Sequence, residues 1–166
     1  MGKRIFTKYL YGTVKRTAIG DLSSHYEQTI GIDRFVAEED IEVIGFELMA
    51  QASIVPTDTD YGLQYWGCVA ELSQVGAWAS SQMSGVLAKA LTEHIKEETD
   101  GAANVPALAQ DHPEPHVVVM FPSGFSVPVK EEGTLYLNLS HWIDSDAGKE
   151  ADLFGSCVIY YTHKRS

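Results

Sequence analysis

The sequence predicts a mainly β protein: an antiparallel jelly-roll β-sandwich with one inserted α-helix and an extended N-terminal arm. Three observations lead there. Most of the 166 residues alternate apolar and polar with period two, as half-buried strands do. The alternating runs are short and separated by Gly, Pro and Asp turns, the spacing of a sandwich or barrel. One segment breaks the alternation with helical spacing. Two packed sheets of about four strands each make a jelly roll.

Taken in order, residues 1–20 form a basic arm. It holds Lys3, Arg4, Lys8, Lys15 and Arg16 and no acid, hence +5, whereas the remainder holds seven basic and 23 acidic residues. Phe6, Tyr9, Leu10, Tyr11 and Val14 lie among those charges. A freely solvated tail has little use for them, so the arm is expected to be ordered against a partner. Residues 21–166 are expected to be one sandwich domain. Tyr26 to Ile32 alternates. Ile44, Phe46, Leu48, Ala50, Ala52 and Ile54 form one face of a long strand. Pro56 to Gly62 is turn chemistry. Trp66, Cys68, Ala70 and Leu72 share a face of the next strand.

From Ser81 to Glu98 the apolar residues Met83, Val86, Leu87, Ala90, Leu91 and Ile95 follow i, i+3, i+4 spacing, which predicts an amphipathic helix capped by Ser80 or Ser81. Residues 99–115, rich in Ala, Gly, Pro and acid, read as a long loop, so the insertion spans about 81–115. Val117–Phe121 is a short buried strand. Pro122-Ser123-Gly124 is a corner and Lys130–Gly133 a hairpin turn. In Thr134–Ile143, Leu135, Leu137 and Leu139 point to the core and Tyr136, Asn138 and Ser140 away from it. Leu153–His163 closes the chain.

A composition of 45% hydrophobic and 21% charged residues is that of a soluble globular domain. No apolar run approaches the ~20 residues of a membrane span, and the N-terminus lacks the apolar core of a secretory signal, so no membrane partner is expected. A net charge of −11 repels phosphate and argues against nucleic acid. A basic arm on an acidic body suits an acidic protein surface, a neighbouring copy's included. Cys68 and Cys157 are too few for a disulfide framework and read as small buried hydrophobes.

Candidate chemistry is sparse. His112-Pro-Glu114-Pro-His116 near a Pro-x-Gly corner suggests a metal-binding cupin barrel, but the histidines are four apart on a Pro-broken extended segment and no third ligand follows Gly124. Asp144, Asp146 and Asp152 place oxygen ligands near one another in a loop, a minor calcium candidate. The loop lacks Gly at position six of an EF-hand and includes Lys149. No Gly-x-Ser-x-Gly elbow or phosphate cradle is present. No cofactor and no enzymatic activity are expected. Trp78, just before the expected helix, is the candidate for stacking on a sugar ring in a carbohydrate- or receptor-binding module.

The runs VVVMFPSGFSVPVKEEGTLYLNLSHWIDS and FGSCVIYYTHKR, with IDRFVAEEDIEVIGFELMAQAS upstream, resemble the C-terminal half of jelly-roll structural proteins of tailed viruses. The resemblance implies a virion component of the capsid-decoration or head-fibre type, a homotrimer located on the capsid surface and made in the host cytoplasm. Its partners would be the major capsid protein or another virion protein and itself. Lys3, Arg4, Phe6, Lys8, Tyr9, Tyr11, Lys15 and Arg16 are the candidate grip on that partner. Deleting residues 1–16 is expected to leave a folded body that no longer binds its assembly.

Overall fold

Alternation in the sequence becomes pairing in space. The computed structural model describes residues 4–17, 27–54, 62–75, 85–98, 108–111, 116–144 and 150–164. These contain ten strands: β1 (Phe6–Thr17), β2 (Glu27–Val36), β3 (Ile41–Ile54), β4 (Gly62–Ser73), β5 (Val86–Glu98), β6 (Leu108–Asp111), β7 (His116–Met120), β8 (Val127–Val129), β9 (Thr134–Asp144) and β10 (Glu150–His163). Sheet I runs β1-β10-β3-β7, with β8 continuing along the same edge of β3. Sheet II runs β2-β9-β4-β5-β6. The early strands pair with the late ones, β1 and β3 with β10, β2 and β4 with β9, all antiparallel. Such a ribbon folded back on itself in two sheets is the jelly-roll winding.

The core lies between the sheets. Leu135, Leu137 and Leu139 of β9 are fully buried, as the alternation implies, with Cys68, Ala70 and Leu72 of β4 beside them. Phe46, Leu48 and Ala50 of β3, Leu10 of β1 and Ile159 of β10 meet them from sheet I. In β3 the inward phase changes. Tyr160 pairs with Gly45 but Tyr161 with Val43, a bulge that turns Ile44 outward and brings Ile41 and Val43 into the core. The paired glycines Gly12 and Gly155 leave a notch in sheet I. Ile32 of β2 fills it, within 3.1 Å of where a Gly12 Cβ would sit.

Several expectations are corrected. Val86–Glu98 is strand β5, not a helix, and the remaining helix residues Ser81–Ser84 lie outside the described residues. Leu91 and Ile95, four apart, share a face in a strand as well as in a helix, so that spacing does not discriminate. The inward residues of β5 are Ala88, Ala90 and Thr92, opposite Leu72, Ala70 and Cys68, and such small side chains barely mark a period of two. Pairing along β4 decides the conformation over local propensity. The expected loop over 99–115 contains β6. Lys130–Gly133 does not close a hairpin. It carries the chain from β8 in sheet I to β9 in sheet II, with Gly133 N–H donating to Lys130 O at 2.8 Å. The outward row of β9 is not solvated: Asn138 and Ser140 are fully buried.

Candidate interaction surface

The N-terminal segment, read as an arm, is for Phe6–Thr17 the edge strand of sheet I, paired residue by residue with β10 of its own chain. Period two divides its candidate residues between two surfaces. Arg4, Phe6 and Lys8 belong to the phase that also points Leu10 into the core, and they gather at the open end of the sandwich. There Phe6 stacks on Tyr161 at 5.7 Å and meets His163 edge-on at 4.4 Å. Phe35 lies 5.3 Å from Tyr161, Arg4 sits 5.0 Å over Phe6, and Lys8 sits 5.8 Å over Phe35. Each cation rests on an aromatic face, a favourable electrostatic contact. His163 Nδ1 lies 2.7 Å from Glu39 Oε1. A cavity of about 190 Å³ opens between Lys8, Phe35, Glu38, Glu39, Tyr161 and His163.

Tyr9 and Tyr11 belong to the other phase and stand on the outer face of sheet I. Their rings stack at 5.3 Å, and they are 53% and 58% exposed. Registers carry this face across the sheet: Tyr9 to Val158, Glu47 and Val118, and Tyr11 to Ser156, Met49 and His116. Val118 and Met120 are both 55% exposed. Met120 lies flat on Gly45, its sulfur where a Cβ would stand. In the middle, Glu47 accepts a hydrogen bond from the Tyr160 hydroxyl and lies 3.4 Å from His116 Nε2. The hydrogen bond to that carboxylate holds the Tyr160 phenol above its usual pKa. At one end of the face is a groove of about 440 Å³ between Ile5, Glu42, Ile44, Phe125 and Thr162. Gly124, with φ of 92°, makes the corner that projects Phe125, which is 68% exposed. The alternation marks Glu47 and Met49 only as the second face of a strand, and nothing in it singles out Val118 or Met120. Their grouping needs the register.

The free edge of β1 is plugged at its centre. β2 pairs Thr29 with Leu139 but Asp33 with Leu137, a wide bulge passing through Gly31 at φ 62°. The bulge turns Asp33 toward β1, where Oδ2 accepts the Tyr11 N–H at 3.1 Å and Oδ1 the Arg34 N–H at 2.8 Å. The same bulge presents Gly31 N–H to Asn138 Oδ1 at 2.8 Å. Asn138 Nδ2 donates to Glu71 Oε1 at 3.2 Å, and Lys89 Nζ lies 3.3 Å from Glu71 Oε2. This buried polar chain ties together β2, β9, β4 and β5. A buried carboxylate is tolerated only where it is paired in this way.

Most of the other sequence candidates fall outside what the structure describes. Lys3, the Arg16 side chain, Trp78, Asp146 and His112 lie outside the described residues. Asp144 ends β9 in sheet II, whereas Asp152 is on β10 in sheet I, 3.8 Å from Lys15 Nζ. Among the described residues no three His, Cys, Asp or Glu side chains group as metal ligands, and no helix is long and apolar enough to cross a membrane. Cys68 and Cys157 are buried free thiols, each pushed up to about 12 by desolvation.

No family model and no curated protein matches the sequence. Among solved structures, the decameric BFDV capsid protein is similar with TM-score 0.40 and 11% identity, covering 98% of this chain and 100% of that one. The Gx strain of infectious bursal disease virus gives TM-score 0.36 and 11% identity over 96% of this chain and 32% of that one. The VP2 subviral particle of infectious bursal disease virus gives 0.31 and 11%, over 96% and 33%. At these scores the likeness carries no argument about what this chain does.

Proposed function

We propose that this chain is a non-enzymatic virion structural protein that decorates or stabilises a capsid, attaching to the shell through the rim of β1. The observation that carries the reading is the placement of Arg4 and Lys8 over aromatic rings at an exposed edge strand of a jelly roll whose remaining residues are strongly acidic. A rigid β body has what attachment needs in this rim: area from Phe6, Phe35 and Tyr161, and the cations Arg4 and Lys8, beside Glu38 and Glu39, to pair with acids of a partner surface. The sequence resemblance over Val117–Ser145 and Phe154–Arg165, with Ile32–Ser53 upstream, points the same way. Cations held on rings lose less freedom on docking than solvated ones do.

The test is co-sedimentation with purified particles, with copy number measured against the shell protein by quantitative mass spectrometry. Wild-type protein is expected at fixed stoichiometry. The folded variant Arg4→Glu/Lys8→Glu is expected to lose at least about tenfold in affinity. Wild-type occupancy by that variant, or no association of the wild-type chain with any particle, would sink the reading.

A further inference from the structure

We infer that the outer face of sheet I is where a second copy of this chain docks. The inference holds whatever larger assembly the protein joins. Of the nine large hydrophobic side chains exposed among the described residues, six lie on this face or at its rim: Ile5, Tyr9, Tyr11, Val118, Met120 and Phe125. Four strands about 4.8 Å apart, each with about seven residues at about 3.3 Å rise, make a plane on the order of 450 Å² before side-chain relief. That is a little over half of the roughly 800 Å² per partner of a standard interface, the size of a weak, concentration-dependent contact. The exposed apolar side chains share that plane with Glu47, Ser156 and His116, and the largest apolar patch on a soluble protein is often a contact site.

Charge identifies the occupant. Each copy carries −11, so two copies repel least where they meet through a surface of little charge. This face carries little. Between the Lys15–Asp152 pair at one end and Glu42 at the other, Glu47 is the one carboxylate among its described residues, and it accepts a hydrogen bond from Tyr160 and lies 3.4 Å from His116 Nε2. A cationic partner would find its complement at Glu38 and Glu39 instead, outside this face. Tyr, Met and Val in a flat row suit a copy of themselves. Two such faces stack as sheets stack within a sandwich, about 10 Å apart.

Sedimentation velocity on the full chain across the micromolar range tests this, with Met120→Lys and Val118→Asp as separate variants and Leu91→Asp as control. Leu91 is 47% exposed on the outer face of sheet II. Circular dichroism and thermal melts check folding in each. Wild-type protein and the control are expected to associate, while each sheet I variant raises the dissociation constant by on the order of tenfold or more. A monomeric wild-type chain throughout, wild-type association by both folded sheet I variants, or equal loss in the control would overturn the inference.

Discussion

Asp40, in the turn between β2 and β3, has both carboxylate oxygens engaged: Oδ1 accepts the Glu131 N–H at 3.0 Å and Oδ2 the Lys130 ammonium at 2.9 Å. Those two bonds, the backbone one first, hold its pKa below 3.8. The folded state therefore favours the charged form. The stabilisation is fully present above the ordinary value and is lost as pH falls through the depressed one. Thermal melts of wild type and Asp40→Asn across that range should show the wild-type advantage shrinking as the solution is acidified. A gap independent of pH would count against the bonds to Glu131 and Lys130. At this scale the sequence is legible where one face meets the core, as at Leu135, Leu137 and Leu139. It is not legible where the second face is also covered. Asn138 and Ser140 alternate as solvated residues would, and only Glu71, arriving from β4, and the β2 bulge give Asn138 its buried partners.

For the strands, what matters is which backbone edges stay open. β1 is an edge strand of twelve residues, and a long flat edge invites pairing with another chain. Asp33 occupies its central outward N–H. Asp33→Ala should free that group and let strands add along the whole of β1, while the fold, held by the other side of the ladder with β10, persists. Thioflavin fluorescence and light scattering at 37 °C should then show earlier and faster assembly than wild type, at an unchanged far-ultraviolet spectrum. Equal assembly rates would mean that Asp33 does not guard the edge. Neither the plug nor β5 is visible to a periodicity reading. The first depends on a bulge that places residues 11 and 33 together. The second depends on a partner strand that overrules an ambiguous apolar spacing.

Across the whole molecule, the winding makes the first strand depend on the last. Residues 1–20 stand out in the sequence by charge, and charge alone makes them look detachable. The pairing of Phe6–Thr17 with Glu150–Tyr161 shows otherwise. Leu10 is fully buried, and Val14 packs against the core. Removing residues 1–17 deletes a buried Leu, a loss of about 2–5 kcal/mol by itself. It also removes a complete ladder and opens β10, fourteen residues long and rich in apolar side chains, as a new edge. Against a total stability of about 5–15 kcal/mol for a domain, the combined loss should abolish cooperative folding. The truncated chain is thus expected to be insoluble, or to melt without a sharp transition. Calorimetry of the full and truncated chains decides it. A truncated protein with a cooperative transition near the full-length midpoint would show that sheet I closes without β1, and the segment would again qualify as an arm. Because truncation confounds folding with attachment, only the charge reversal at Arg4 and Lys8, which leaves the β1 ladder in place, can separate what β1 does for the fold from what its rim does for binding.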